Sequence, residues 1–369
     1  MSGELKTPSN AAPNGFKLAC IGDVMPASVD MAGQTSPECL RKGIWKPLEG
    51  VDAILLNLET PITSSTEAHR NKRYCFRSST GVLDLFDHRF VFGLANNHIF
   101  DYGEKGLLDT IDALDTRHFP HAGAGRNLDS AGAVEIKISG AHLGIVCAAD
   151  ARYQSATRTS AGTFPAIPGL LREAVADLRR RGAIAIVSIH SGQEFLPAPS
   201  PQQRFLADLC MEEGARVVSF HHAHCVSGWR QDSQGIVLFG TGNYLFPPGD
   251  TPSCYSDFRK SAAWRITMDP LQPGSERLEI RPILMDRNGL PCEATKMDAV
   301  EILRRIARYS DRIRSSRLGW WRAREMVRPV YLWMNAVNYA DIARRNGLRV
   351  LVRLLIEGIR AQRQERQHE

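Results

Sequence analysis

Between residues 16 and 239, short apolar runs of strand length alternate with stretches of helical spacing, and five of the runs stop on Asp, Glu, Asn or His. Strand-like runs are expected at 16–25, 51–59, 90–97, 183–190, 216–220 and 235–239, with hairpin-like pairs at 133–149 (turning near Gly140) and at 262–269 with 277–286. Helical spacing marks 103–116, 170–181 and 201–213. Strands separated by helices imply a layered α/β body whose helices cover sheet faces. Ligand sites in such sheets form beyond the carboxyl ends of strands, which is where these polar residues lie.

The first run ends in Gly22-Asp23-Val24-Met25 and the second in Asn57-Leu58-Glu59-Thr60-Pro61. The third ends in Asn96-Asn97-His98 followed by Asp101-Tyr102-Gly103. Two more end in His190-Ser191-Gly192-Gln193-Glu194 and His221-His222-Ala223-His224. Taken singly, each has an ordinary explanation. An Asp after a strand is commonly a turn former or helix N-cap, a reading open for Asp101, and Asn97 fits a cap as well. His98 alone fits a buried core imidazole, and a histidine cluster fits an ordinary loop. Five coincidences at five strand ends are harder to accept than one shared site.

Imidazole, carboxylate and amide oxygen together suit a borderline divalent cation such as Zn, Mn or Fe. His222 and His224, two residues apart, would point to one side of an extended segment. Roughly seven donors exceed what one tetrahedral ion needs, and two ions about 3.5–4 Å apart, bridged by a carboxylate, would use them. Such a pair lowers the pKa of bound water to about 7 and clamps the attacking and leaving oxygens of an in-line displacement. His98 would then be free to protonate the leaving group.

These segments, with Gly240-Thr241-Gly242-Asn243-Tyr244-Leu245-Phe246 after them, resemble the ordered signature of CapA-type poly-γ-glutamate capsule synthesis proteins. That family is similar in fold to calcineurin-like metallophosphoesterases, and the resemblance spans about residues 16–250. It implies a four-layer α/β/β/α sandwich of the metallo-dependent phosphatase type with metals at the sheet ends. Carried over by residue, it puts Asp23, Glu59 and His224 on one metal, with Glu59 bridging to a second held by Asn97, His190 and His222. His98, Asp101 and Glu194 become the catalytic set, His98 as general acid while metal-activated water attacks a phosphoester. Ordinary metallophosphoesterases carry a histidine two residues after the first Asp. Here that position is Met25, so the first metal has one ligand fewer. Ser191 and Ala223 also depart from the usual pattern without removing a donor. The resemblance makes the expected substrate an anionic small molecule or polymer and the expected partners subunits of a polymer-synthesis complex. The alternative is a non-catalytic accessory or scaffold subunit of such a complex.

Composition narrows the remainder. With 369 residues, 43% hydrophobic and 23% charged, the chain has material for a packed core, which excludes global disorder, collagen and coiled coil. The domain reading is a flexible tail at 1–15, the metallophosphoesterase-like domain at 16–291 and a helical segment at 297–369. Eight cysteines without a C-x-x-C pair read as structural thiols. The net charge of +6 hides an asymmetry, because residues 301–369 hold sixteen arginines against seven acids. That segment, with Trp320, Trp321 and Trp333, reads as a basic helical lid on the body or as an amphipathic helix on anionic lipid. Nucleic acid ranks last, for want of any recognised motif. The first residues lack the basic-then-apolar order of a secretory signal, and no apolar run nears the ~20 residues of a spanning helix. The expected address is therefore the cytoplasm, with the basic segment peripheral at the inner face of the membrane in the lipid reading.

Overall fold

The computed structural model describes residues 15–27, 41, 44–69, 72, 74–246, 256–315 and 344. Residues 1–14 of the tail expected at 1–15, Cys39 and Cys254 lie outside them, as does the stretch beyond Ser315, Arg344 apart, with its three tryptophans. In the larger of two central sheets, β1 (Phe16–Val24), β2 (Ala53–Leu58), β3 (Phe90–Gly93) and β4 (His121–Ala122) run parallel. On the other side of β1 the sheet continues antiparallel through β14 (Lys260–Met268), β15 (Arg277–Met285) and β16 (Pro291–Glu293). The short β13 (Asn243–Leu245) pairs in parallel with the carboxyl end of β1.

The second sheet has the order β11 (Trp229–Gln231), β12 (Ile236–Leu238), β10 (Val217–His221), β9 (Ile184–His190), β7 (Ala141–Ala149), β6 (Ala133–Ile138). Its inner four strands are parallel and its two edges antiparallel. A small ladder of β5 (Ala124–Gly125) and β8 (Gly162–Thr163) stands apart.

Alternation along the strands builds the layers. Leu18, Cys20, Leu55, Val91 and Trp264 face inward and meet Leu143, Ile145, Ile186 and Val217 of the other sheet. The intervening Ile21, Ile54, Leu56, Phe90 and Phe92 face outward, where helix α1 (Gly103–Thr116) covers them with Leu107, Ile111 and Leu114. The one-turn helix α2 (Leu128–Ala131) follows. On the far side, α3 (Pro168–Arg180) and α4 (Pro201–Glu212) cover Val146, Val187, Val218 and Phe220 with Leu171, Val175, Leu178, Leu206 and Leu209. Strands buried on both faces read as continuous apolar runs, which is why periodicity located them. The result is a four-layer α/β/β/α sandwich.

Helix α5 (Lys296–Ser315) closes one edge of this sandwich. Ile302 and Ile306 are buried in the layer between the sheets, and Ile313 in the layer beneath α3 and α4. Leu303, on the same helical period in the sequence, is 40% exposed. The fit is close at Gly228, where a Cβ would lie 2.3 Å from the Ser310 nitrogen. Trp229 N–H donates to Ser310 Oγ at 3.0 Å, and the Arg204 guanidinium donates to the Ile313 carbonyl at 3.0 Å.

Candidate metal centre

Both sheets turn the carboxyl ends of their parallel strands to one side. Asp23, next to last in β1, is held there by a backbone approach only glycine permits, since a Cβ on Gly22 would lie 2.0 Å from the Gly242 carbonyl oxygen. That closeness lets Asp23 N–H donate to Gly242 O at 2.9 Å and sets Asp23 opposite Asn243. Glu59 directly follows β2, and Asn57 lies two residues earlier. Asn57 Nδ2 donates to Asp23 Oδ1 at 2.8 Å and lies 3.2 Å from His190 Nδ1, linking the two sheets. His190 and His221 are register partners at the ends of β9 and β10.

The donors form two triads that share one carboxylate. Ligand atoms of Glu59, His190 and His222 lie within 4.8 Å of one another, as do those of Asp23, Glu59 and His224. His190 Nε2 is 3.6 Å from Glu59 Oε1 and 2.9 Å from Asn97 Oδ1. His224 Nε2 is 4.0 Å from Glu59 Oε1, while its Nδ1 is 2.9 Å from Asn243 Oδ1 and 3.3 Å from Asp23 Oδ2. Glu59 and Asp23 are fully buried, yet Glu59 Oε1 and Oε2 and Asp23 Oδ2 have no hydrogen-bond partner among the described residues. Buried polar atoms are ordinarily paired, and unpaired carboxylate oxygens facing imidazole nitrogens are the donor set of a divalent cation.

The protons are distributed to match. Burial and the Asp23 carboxylate push the Glu59 carboxyl well above its usual range. Burial works the same way on Asp23, but the neighbouring His221 and His224 imidazoles, 3.2 and 3.3 Å from its oxygens, hold it well below the usual range. Burial also works against a charge on His224, yet Glu59 and Asp23 push it up to about 10. Burial lowers His190 well below the ordinary histidine range and takes His222 down to about 4. A cation bound here would compete with the proton that His224 holds.

His98 stands beside this pocket in a separate network. Its Nδ1 is 2.8 Å from Asp101 Oδ2, which also accepts the Phe76 N–H at 2.8 Å. Asp101 Oδ1 accepts from Lys72 Nζ, and the same ammonium bonds the Asn97 carbonyl. Asp101 is therefore no N-cap of α1. The cap position is Tyr102, which makes no side-chain cap bond. Burial lowers the pKa of His98 and Lys72 assists, while Asp101 pulls it upward. Neutral His98 that donates from Nδ1 to Asp101 leaves Nε2 for a substrate.

The structure brings Asp23, Glu59, Asn97, His190, His222 and His224 into one pocket, with His98 and Asp101 adjoining. Glu194 is half-buried and belongs to neither triad, although its charge acts on Glu59, His222 and His224. The 222–224 segment is not extended as expected. His222 and His224 have φ of 88° and 54°, the left-handed region that costs ordinary residues roughly 1–2 kcal/mol. The bend still brings their rings to a centroid separation of 6.2 Å. Asn97 caps no helix and serves His190, while Asn96 Oδ1 holds the intervening turn by accepting from His98 N and Ile99 N. Met25 is buried with Phe195, Phe246, Phe258 and Met285, so an apolar cluster occupies the place of the extra histidine. Sequence reasoning gave no role to Asn57, Lys72, Tyr153 or Asn243. Two-residue spacing from Glu59 would have singled out Asn57, but nothing in the local pattern marks Lys72 or Tyr153.

A four-layer sandwich with acid, amide and imidazole donors at the shared carboxyl end of both sheets defines an α/β protein built around a buried polar centre. The chain belongs to the bacterial capsule synthesis protein family PGA_cap, whose model matches residues 17–248. It is 32% identical over 168 residues to the capsule biosynthesis protein CapA of Bacillus anthracis, covering 44% of this chain but only 41% of that one. It is 25% identical over 268 residues to the PGA biosynthesis protein CapA of Bacillus subtilis, covering 70% and 69%. A probable polyglutamine synthesis accessory protein of Mycobacterium tuberculosis is 27% identical over 288 residues, covering 71% and 73%. A solved 5'-nucleotidase precursor from Thermus thermophilus matches at 14% identity and a TM-score of 0.42 over 79% of this chain and 58% of that one, too distant to speak to activity.

Proposed function

We propose that this protein is a metal-dependent hydrolase of the phosphoesterase type. Its place would be the synthesis of a capsule or poly-γ-glutamate-type polymer, and its substrate a phosphorylated small molecule or polymer intermediate. One observation carries the reading: Glu59 is buried with both carboxylate oxygens unpartnered among the described residues and belongs to both donor triads. A scaffold has no use for such a group. Asp23, Glu59 and His224 would hold one divalent ion (Mn, Zn or Fe), and Glu59, Asn97, His190 and His222 the other. Bound there, the ions would supply an activated water and neutralise charge on the phosphoryl oxygens.

The remaining work falls to this chain's own groups. An arriving anionic substrate raises the proton affinity of His98, so Nε2 can carry a proton to the leaving oxygen while Asp101 holds Nδ1–H. Lys72 keeps Asp101 ionised and ties it to the Asn97 backbone. The test is metal analysis of the purified full-length chain, with turnover of bis(p-nitrophenyl) phosphate by wild type and His98→Ala. Bound metal with turnover reduced about 10²–10⁴-fold by the substitution supports the reading.

Bound metal with no turnover would favour a second reading, a non-catalytic accessory subunit of a polymer-synthesis complex. The apolar burial of Met25 in place of a ligand favours it, as do relatives described as accessory proteins. In either case the basic C-terminal segment would place a cytoplasmic protein against the inner face of the membrane.

A further inference from the structure

Tyr153 lies in the loop after β7, a central strand of the second sheet whose end contributes no donor to the triads. Its place is set from several sides. Tyr153 N–H donates to Asp150 O at 2.9 Å, and its own carbonyl accepts from Thr163 Oγ1 at 3.0 Å. Asp150 N–H in turn donates to the His190 carbonyl at 3.1 Å, fastening the loop to β9. The Tyr153 ring meets His190 and His222 edge-on, at centroid separations of 6.3 and 5.8 Å. Its hydroxyl lies 3.1 Å from His222 Nε2, while His222 Nδ1 is buried without a hydrogen-bond partner among the described residues.

We infer that Tyr153 is a positioning residue for a cation held by Glu59, His190 and His222: its hydroxyl accepts a hydrogen bond from His222 Nε2–H and thereby turns Nδ1 to the cation. A neutral imidazole has one N–H and one lone pair, so engaging Nε2 as a donor fixes the lone pair on Nδ1. Ligating histidines are generally oriented in this way, through the nitrogen that does not bind the metal. His224 has the complementary arrangement, with Nδ1 on Asn243 Oδ1 and Nε2 nearest Glu59. The two histidines would therefore present opposite nitrogens, each fixed by a polar residue from a different sheet. His222 also needs the restraint more, because its backbone lies at φ 88° and a free ring could relax away.

The inference rests on the two-cation reading above. It is tested by titrating Mn²⁺ into full-length metal-free wild type, Tyr153→Phe and Tyr153→Leu, with calorimetry for affinity and electron paramagnetic resonance for the coupled two-ion signal. The expected result is one site weakened about 10–100-fold in both variants, with the second site retained and the coupled signal lost at limiting metal. Phe keeps the ring and loses only the hydroxyl, so wild-type affinity in Tyr153→Phe would show that packing alone matters and would overturn the inference. Unchanged affinity in both variants would also overturn it. Wild type that binds no Mn²⁺ would remove the two-cation reading itself, and the inference with it.

Discussion

Glu59 is the residue whose surroundings make least sense without a cation, and it separates metal binding from folding. Burial and the Asp23 carboxylate push its carboxyl well above the usual range, and Glu59→Gln keeps the size of the side chain while removing the carboxylate. Bound divalent metal should be lost on elemental analysis, while the metal-free variant keeps a cooperative melting transition. His224 gives the pH dependence. A raised folded-state value of about 10 contributes stability that is complete below the ordinary histidine value near 6.5 and disappears as pH rises through 10. Metal-free protein should therefore lose thermal stability between pH 7 and 10. Metal affinity should rise over the same interval, as the competing proton leaves, with proton release visible in calorimetry across buffers of different ionisation enthalpy. Asp23, Glu59 and His190 were legible in the sequence because a strand announces its own end and the polar residue there stands out. Lys72 and Tyr153 were not, because a lysine or a tyrosine in irregular chain looks the same whether it faces solvent or a histidine.

Among the elements, the long central strands and helices α1, α3 and α4 matched their expected bounds within two residues, since burial on both faces leaves an unbroken apolar run, save for β3, which ends at Gly93 before the 94–97 turn. Strands of two or three residues, such as β4, β5, β8 and β13, are too short to show any period and escaped notice. Yet β13 is what places Asn243 beside Asp23. Gly22→Ala should force these two strands apart and lower both stability and metal affinity, measurable by denaturant melts and Mn²⁺ titration. Helix α5 carries a second element-scale expectation. A chain ending before Lys296 would expose the layer that Ile302 and Ile306 fill, and should unfold or aggregate. Ile306→Ala alone should cost about 2–5 kcal/mol in denaturant unfolding. The helix began where the sequence pattern changed, but its role in the core was hidden, because a charged helix of this period reads equally as a solvated lid.

For the whole molecule, the cut that isolates the arginine-rich stretch is therefore after Ser315. Flotation with anionic liposomes should be retained by the full chain and lost by a chain ending there, and equal flotation would reject membrane docking. No helix among the described residues is long and apolar enough to cross a membrane. Metal should also report on global stability: at a free concentration 100 times Kd, bound ion adds about 2.7 kcal/mol, and chelation should return the melting temperature to the metal-free value. The donors hang from two separate sheets, Asp23 and Glu59 from one, His190, His222 and His224 from the other. The thickness of the hydrocarbon filling between them, Trp264 and Leu55 against Ile145 and Ile186, is thus the calliper that gauges the span from carboxylate to imidazole within each triad. Shaving or padding that filling, far from any ligand, would retune the chemistry by resetting the gap between the jaws.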